Sequence, residues 1–100
     1  MSARVARDPD FAADLRSQLR YLSRRDEIAW IVTLQEDLSE AEGLLATFPE
    51  AGRELRLGRR VPVRRLRLRR APFVVWYQLS ARHRNVTLLR LFHVRQRRPD

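Results

Sequence analysis

The stretch Val63-Arg64-Arg65-Leu66-Arg67-Leu68-Arg69-Arg70-Ala71-Pro72-Phe73-Val74-Val75-Trp76-Tyr77-Gln78-Leu79 decides the architecture. From Arg65 to Arg69 arginine and leucine alternate strictly. That is the period of a half-buried strand, one face apolar and one face charged. Arg70-Ala71-Pro72 turns the chain. Phe73 to Leu79 is β-branched and aromatic with little polar content, which predicts a strand in the interior of a sheet. Ser80 to Asn85 reads as a polar loop, and Val86 to Val94 as a further apolar strand. The three strands form an antiparallel meander. The charged tail Arg95 to Asp100 is expected to be loose.

Upstream of Pro49-Glu50-Ala51-Gly52, a turn signal, the period is 3.6 instead of 2. Phe11, Leu15, Leu19 and Leu22 fall on one helical face, which predicts a helix over 11–24 with Asp10 as its N-cap. Ile31, Leu34, Leu38, Ala41 and Leu45 make a second stripe, predicting a helix from about 27 to 46. Asp26 is its N-cap candidate, and Phe48-Pro49 ends it. Gly43 weakens it by about 1 kcal/mol. Ser2 to Arg7, closed by Pro9, reads as a short edge strand. The expected fold class is α+β: a short strand, a helical hairpin, then a three-stranded meander with the hairpin on one face.

A chain of 100 residues is expected to be one domain. It holds no cysteine and only His83 and His93, so neither a disulfide framework nor a protein-built metal site is expected. No cofactor is implied. The apolar runs are too short to span a bilayer, and Met1 to Asp10 has no apolar core of a secretory signal. The expectation is a cytoplasmic protein without membrane partners. All 21 basic residues are arginine. Residues 1–54 carry a net charge of −4 and residues 55–100 a net charge of +13. So lopsided a distribution calls for a polyanion or an acidic protein partner.

The order of motifs adds to this. Phe11-Ala12-Ala13-Asp14-Leu15 opens the first helix, and Leu45-Ala46-Thr47-Phe48-Pro49-Glu50-Ala51-Gly52-Arg53 closes the second. Arg65-Leu66-Arg67-Leu68, Phe73-Val74-Val75-Trp76-Tyr77 and Leu91-Phe92-His93-Val94-Arg95-Gln96-Arg97-Arg98 follow. In this order and spacing the chain resembles the RelE/ParE superfamily of toxins from bacterial type II toxin–antitoxin systems, over nearly its whole length. The resemblance implies a growth-arresting toxin with a cognate antitoxin as partner, and two alternative activities. RelE-like members cleave messenger RNA on the ribosome. ParE-like members inhibit DNA gyrase without catalysis. Fold alone does not choose between them.

For RNA cleavage, the 2′-OH must be deprotonated and charge on phosphate stabilised. The resemblance places the family's paired basic residues on Arg65 and Arg67, and the basic residue after the last strand on Arg95. Two apart on a strand, Arg65 and Arg67 share a face, roughly 6.6–6.8 Å apart. His93 is the general acid/base candidate by side-chain chemistry. Arg64, Arg69, Arg70, Arg97, Arg98 and Tyr77 complete the expected nucleic-acid surface. Two family features are missing. Val74 stands where RelE-like members carry an arginine, and their C-terminal tyrosine has no counterpart. The long hairpin, the Pro-x-x-Gly-Arg turn and the His-x-Arg-Arg ending suit the ParE branch. Arginine density tips the sequence reading toward an RNA target. A non-toxic basic nucleic-acid-binding module is the third reading. An arginine row is also what a solvated edge strand carries, and His93 also suits a packed histidine. An acidic, partly disordered antitoxin segment is expected to cover at least some of Arg65, Arg67 and Arg95.

Overall fold

The structure, a computed structural model, describes residues 2–58, 60–80 and 82–96. It comprises β1 (Arg4–Arg7), α1 (Pro9–Arg24), α2 (Ile28–Thr47), β2 (Arg53–Leu55), β3 (Val63–Arg67), β4 (Phe73–Leu79) and β5 (Asn85–His93). The five strands form one sheet in the order β1-β5-β4-β3-β2. β1 runs parallel to β5, and the other pairings are antiparallel. The α+β architecture and the β3-β4-β5 meander are as the periodicity predicts. β4 is hydrogen-bonded on both sides, as its apolar composition requires.

Several boundaries differ from the sequence expectation. The N-cap of α1 is Asp8, whose carboxylate accepts from the Asp10 N–H at 2.9 Å. Asp10 lies inside the first turn. Pro9 explains the shift, since its fixed φ suits the first helical position, where no N–H is needed. Asp26 ends α1 and does not begin α2. Its φ of +53° puts it in the left-handed region. The Asp26 N–H donates to the Ser23 carbonyl, and the Glu27 N–H to the Leu22 carbonyl, the paired bonds of a Schellman ending. Glu27 is the N-cap position of α2 and makes no side-chain cap bond. The arginine-leucine strand spans Val63–Arg67, two residues earlier than its alternation suggests. Leu68 through Pro72 form the turn, where the Leu68 N–H meets the Phe73 carbonyl. β2 has no expected counterpart, being three residues long.

The helical hairpin covers one face of the sheet. Phe11, Leu15 and Leu22 of α1 and Leu34, Leu38, Ala41 and Leu45 of α2 bury against Leu68, Phe73, Val75, Tyr77, Val86, Leu88 and Leu91. Each large side chain so buried contributes about 1.5–3 kcal/mol. Two polar clamps fix the layers. The Asp37 carboxylate, buried on α2, accepts from the Arg70 and Ala71 backbone N–H groups at 2.7 Å each and from Arg70 Nε at 3.0 Å. Tyr77 donates its hydroxyl to the Pro49 carbonyl at 2.9 Å and accepts from the Gly52 N–H at 2.7 Å. Gly52 fits there because it lacks a side chain. A Cβ on it would lie 2.7 Å from the Arg65 carbonyl oxygen and from the Tyr77 ring.

Candidate functional site

A second, smaller cluster lies on the face of the sheet that the helices leave open. Val63, Val74, Trp76 and Phe92 are buried there, with Leu55, Leu57, Leu89 and Val94 packed around them. The Trp76 and Phe92 rings meet edge to face at 4.9 Å. Strand register sets what surrounds this floor. Arg53 pairs with Arg65, Arg65 with Trp76, and Trp76 with Arg90, one row across four strands. At a strand spacing of about 4.8 Å, the row spans about 14 Å. Arg67, Val74 and Phe92 form the adjacent row. The alternation of β3 thus does what the sequence predicts, placing Arg65 and Arg67 on one face, opposite Leu66 and Leu68.

The remaining expected site residues lie elsewhere. β5 contains a bulge, because Tyr77 opposes Leu88 while Trp76 opposes Arg90, leaving Leu89 unmatched. The inserted residue reverses the parity of the strand. Arg90 and Phe92 turn to the open face, and Leu91 and His93 turn to the helix side. His93 packs edge to face on Phe73 at 5.3 Å, and its Nδ1 accepts from the Arg95 N–H at 3.1 Å. His93 and Arg95 border a groove shared with Tyr21, Trp30 and Pro72. The expected catalytic set is therefore divided by the sheet, with Arg65 and Arg67 on one side and His93 on the other.

The expected nucleic-acid surface is corrected in the same way. Tyr77 is fully buried on the helix side, so its ring cannot stack on a base. Burial pushes its phenol above the usual range, against the opposing Gly52 N–H and Arg64 charge, which keeps the hydroxyl a donor. Arg64 points into the same corner, where Nη1 donates to the Gly52 carbonyl at 2.7 Å and Nη2 approaches Glu54 at 3.7 Å. Arg70 is held by Asp37, Glu36 and Glu40, and Arg69 by Glu40, so both face α2. Arg97 and Arg98 lie outside the described residues.

Two arginines missed by the sequence reading belong to the open face. Arg53 ends the Pro-x-x-Gly-Arg turn and lands on the edge strand. Arg90 sits inside an apolar run and reaches around the sheet edge. Its Nε donates to Asp14 at 2.7 Å, while its guanidinium carbon lies 5.2 Å from the Phe92 ring centroid. The hydrogen bond to Asp14 outweighs partial burial and raises the Arg90 pKa. The guanidinium groups of Arg53 and Arg67 make no ion pair or hydrogen bond among the described residues. The Trp76 indole N–H is buried without a hydrogen-bond partner among the described residues. Among the described residues no cluster of His, Cys, Asp or Glu could hold a metal ion, and no helix is long and apolar enough to cross a membrane.

These features can be set beside known proteins. A comparison with curated proteins gives no match. Three solved structures are similar in fold. The chromosomal ParDE toxin–antitoxin system from P. aeruginosa aligns with a TM-score of 0.68 at 22% identity, covering 92% of this chain and 96% of that one. The archaeal RelE-RelB complex from Pyrococcus horikoshii OT3 aligns with a TM-score of 0.61 at 16% identity, covering 97% and 100%. The RelBE2 toxin–antitoxin complex from Mycobacterium tuberculosis aligns with a TM-score of 0.53 at 22% identity, covering 93% and 99%. The family model for the ParE toxin of the type II toxin–antitoxin system parDE matches residues 5–98. The chain therefore belongs to the ParE toxin family of type II toxin–antitoxin systems.

Proposed function

We propose that the toxin arrests growth by binding its target without cutting it, that the target is DNA gyrase, and that the open arginine face makes the contact. One observation carries this reading. Among the described residues the paired rows of the open face hold Arg53, Arg65, Arg67 and Arg90 but no histidine, carboxylate or tyrosine; the Asp14 carboxylate that meets Arg90 comes from α1, and Glu54 and His83 lie at the far end, beside Gln78 and Thr87. Cleavage through a 2′-OH needs a group that takes a proton near neutral pH. A guanidinium group stays protonated far above that. Of the two histidines, His93 faces the helices on the other side of the sheet, and His83 meets Glu50 at 2.7 Å in the loop before β5.

Ribosome-dependent cleavage of messenger RNA is the second reading. It is favoured by the shared face of Arg65 and Arg67, whose spacing and charge suit successive phosphates. The partner that restrains either activity is a cognate acidic antitoxin, matching the +13 charge of residues 55–100. Its contacts include Arg65, Arg67 and Arg95, so replacing all three with Ala weakens the complex and flattens its salt dependence.

Inducible expression, with gyrase supercoiling and RNA 5′-end mapping followed in parallel, tests the choice. Loss of supercoiling with intact messages is the expected result. Cuts within translated codons overturn it in favour of the nuclease, and unimpaired growth in both arms favours a non-toxic binding module.

A further inference from the structure

Uncompensated charge also lies on the helix layer. Along α1, Arg16, Arg20 and Arg24 recur every four residues and are exposed. We propose that this row is a contact for the phosphate backbone of duplex DNA, on the side of the molecule away from the sheet. The inference goes beyond the binding of gyrase, and only the choice of DNA over double-stranded RNA rests on that reading.

Residues 1–54 carry a net charge of −4, so acids are available in this half of the chain, yet the row goes without them. None of the three guanidinium groups makes an ion pair or hydrogen bond among the described residues. No acid stands three or four positions from Arg16 or Arg20. Glu27, the nearest acid of that kind to Arg24, pairs with Arg25 at 3.3 Å. Asp14, on the same helix, is held by Arg90 at 2.7 Å. Asp10 and Asp26 stand at the two ends of α1 and leave its middle turns basic. Like charges four apart on a helix repel one another. The row therefore weakens the helix that carries it, and an incoming polyanion removes that repulsion.

The geometry suits a duplex. With a rise of 1.5 Å per residue the arginines follow at steps of about 6 Å, and the row covers about 12 Å. A DNA duplex offers a charge about every 1.7 Å along its axis, so the row meets phosphates in any register. Other anionic partners ask for more than charge. Protein interfaces are anchored on large apolar and aromatic side chains, and helices that lie on membranes present an apolar face. Here the exposed residues beside the row are Ala13, Ser17 and Ser23, and the apolar face of α1, with Phe11, Leu15 and Leu22, is buried in the core. Single strands need open rings to stack on, and Tyr21, next to Arg20, carries the Arg25 guanidinium over its ring at 5.5 Å. The row and the open arginine face look in opposite directions, with the core between them. A toxin that holds gyrase through one can touch the enzyme's DNA with the other.

The test titrates the full chain, labelled with ¹⁵N, with a short duplex DNA at several salt concentrations. Binding is expected at about 10⁻⁴–10⁻⁶ M, with shifts of the backbone amides of residues 13–24. Replacing Arg16, Arg20 and Arg24 together with Gln lowers the slope of log affinity against log salt by about 2–3, because each phosphate contact contributes about 0.9. Gln is as good a helix former as Arg, and unchanged circular dichroism reports that the fold is retained. The corresponding Lys variant keeps the slope, since it keeps the charge. Arg53→Gln with Arg67→Gln on the open face leaves the α1 shifts in place. An unchanged slope in the Gln variant overturns the proposal, as do shifts confined to β3, β4 and β5. Tighter binding of a duplex RNA of the same length, or equal binding of polyglutamate at α1, overturns it as well. A toxin that binds DNA through α1 but leaves supercoiling untouched supports the row and sinks only the gyrase assignment.

Discussion

Removing the charge from Asp37 is expected to loosen the contact between α2 and the β3–β4 turn. In Asp37→Asn the amide oxygen can still accept the two backbone N–H groups that now meet Oδ2 at 2.7 Å. The amide nitrogen then faces Arg70 Nε, which at present donates to Oδ1 at 3.0 Å. Two donors confront each other where a charged pair stood. Hydrogen bonds to charged groups contribute about 1.5–3 kcal/mol. Arg70 keeps Glu36 and Glu40 as partners, so the lower part of that range, about 1.5–2 kcal/mol, applies. For a domain of this size each kcal/mol shifts the midpoint by about 4–8 °C, and the expected fall in Tm is roughly 6–16 °C.

The difference should also depend on pH. Burial by itself raises the Asp37 pKa, but the Ala71 and Arg70 N–H groups and the Arg70 guanidinium outweigh it, and the net direction is down. A carboxyl with a depressed folded pKa stabilises fully above its unfolded value, about 3.9. That stability is lost as pH falls through the folded value. Urea unfolding of both proteins, followed by circular dichroism, should therefore show a constant gap from pH 8 down to about 5, closing in more acidic buffer. A gap under about 0.5 kcal/mol at pH 7, the size of an ordinary surface change, would falsify the clamp. A gap that persists unchanged into strong acid would show that it does not arise from the charge.

Three further expectations follow from the same packing. Gly52→Ala forces a methyl against the Arg65 carbonyl and the Tyr77 ring at 2.7 Å, so it destabilises by about 1–3 kcal/mol in denaturant unfolding; a neutral result means that the β2–β3 corner yields freely. Tyr77→Phe deletes the bridge between Pro49 and Gly52 and costs about 1–3 kcal/mol. Because burial raises the Tyr77 pKa, its contribution is complete below about pH 10 and declines above it, so only the parent protein should show that alkaline loss. Gly43→Ala, on the exposed face of α2 with nothing within 4 Å of the added carbon, should stabilise by about 0.5–1 kcal/mol. A lower melting temperature there contradicts the open environment.

The helices and the meander were legible because each rests on a long, consistent period. The Arg65–Arg67 face was legible for the same reason, since parity along a regular strand is the only information it needs. His93 was not. Counting by twos from Leu88 puts it on the open face beside Arg65, and the unmatched Leu89 reverses that assignment. No period reveals a single inserted residue. Arg64 and Tyr77 misled for a different reason. Both satisfy the backbone of the Pro49–Gly52 turn, a demand that arises only when the turn folds back on the sheet. Asp26 has the composition of a helix start and serves as a helix stop, because asparagine-like residues also tolerate positive φ.

The parallel pairing of β1 with β5 has a consequence for how the toxin is made. Arg4 through Arg7 lie against Asn85 through Leu88, so the first strand to leave the ribosome waits for the last. Asp14 waits likewise for Arg90 and the Leu91 N–H. Contacts between the two ends of a chain form slowly, since a long loop must close first. The helical hairpin therefore keeps part of its apolar side uncovered until β5 joins the sheet, and the arginine surface is completed at the same step. A partner that reads the arginine face has no complete surface to meet before then.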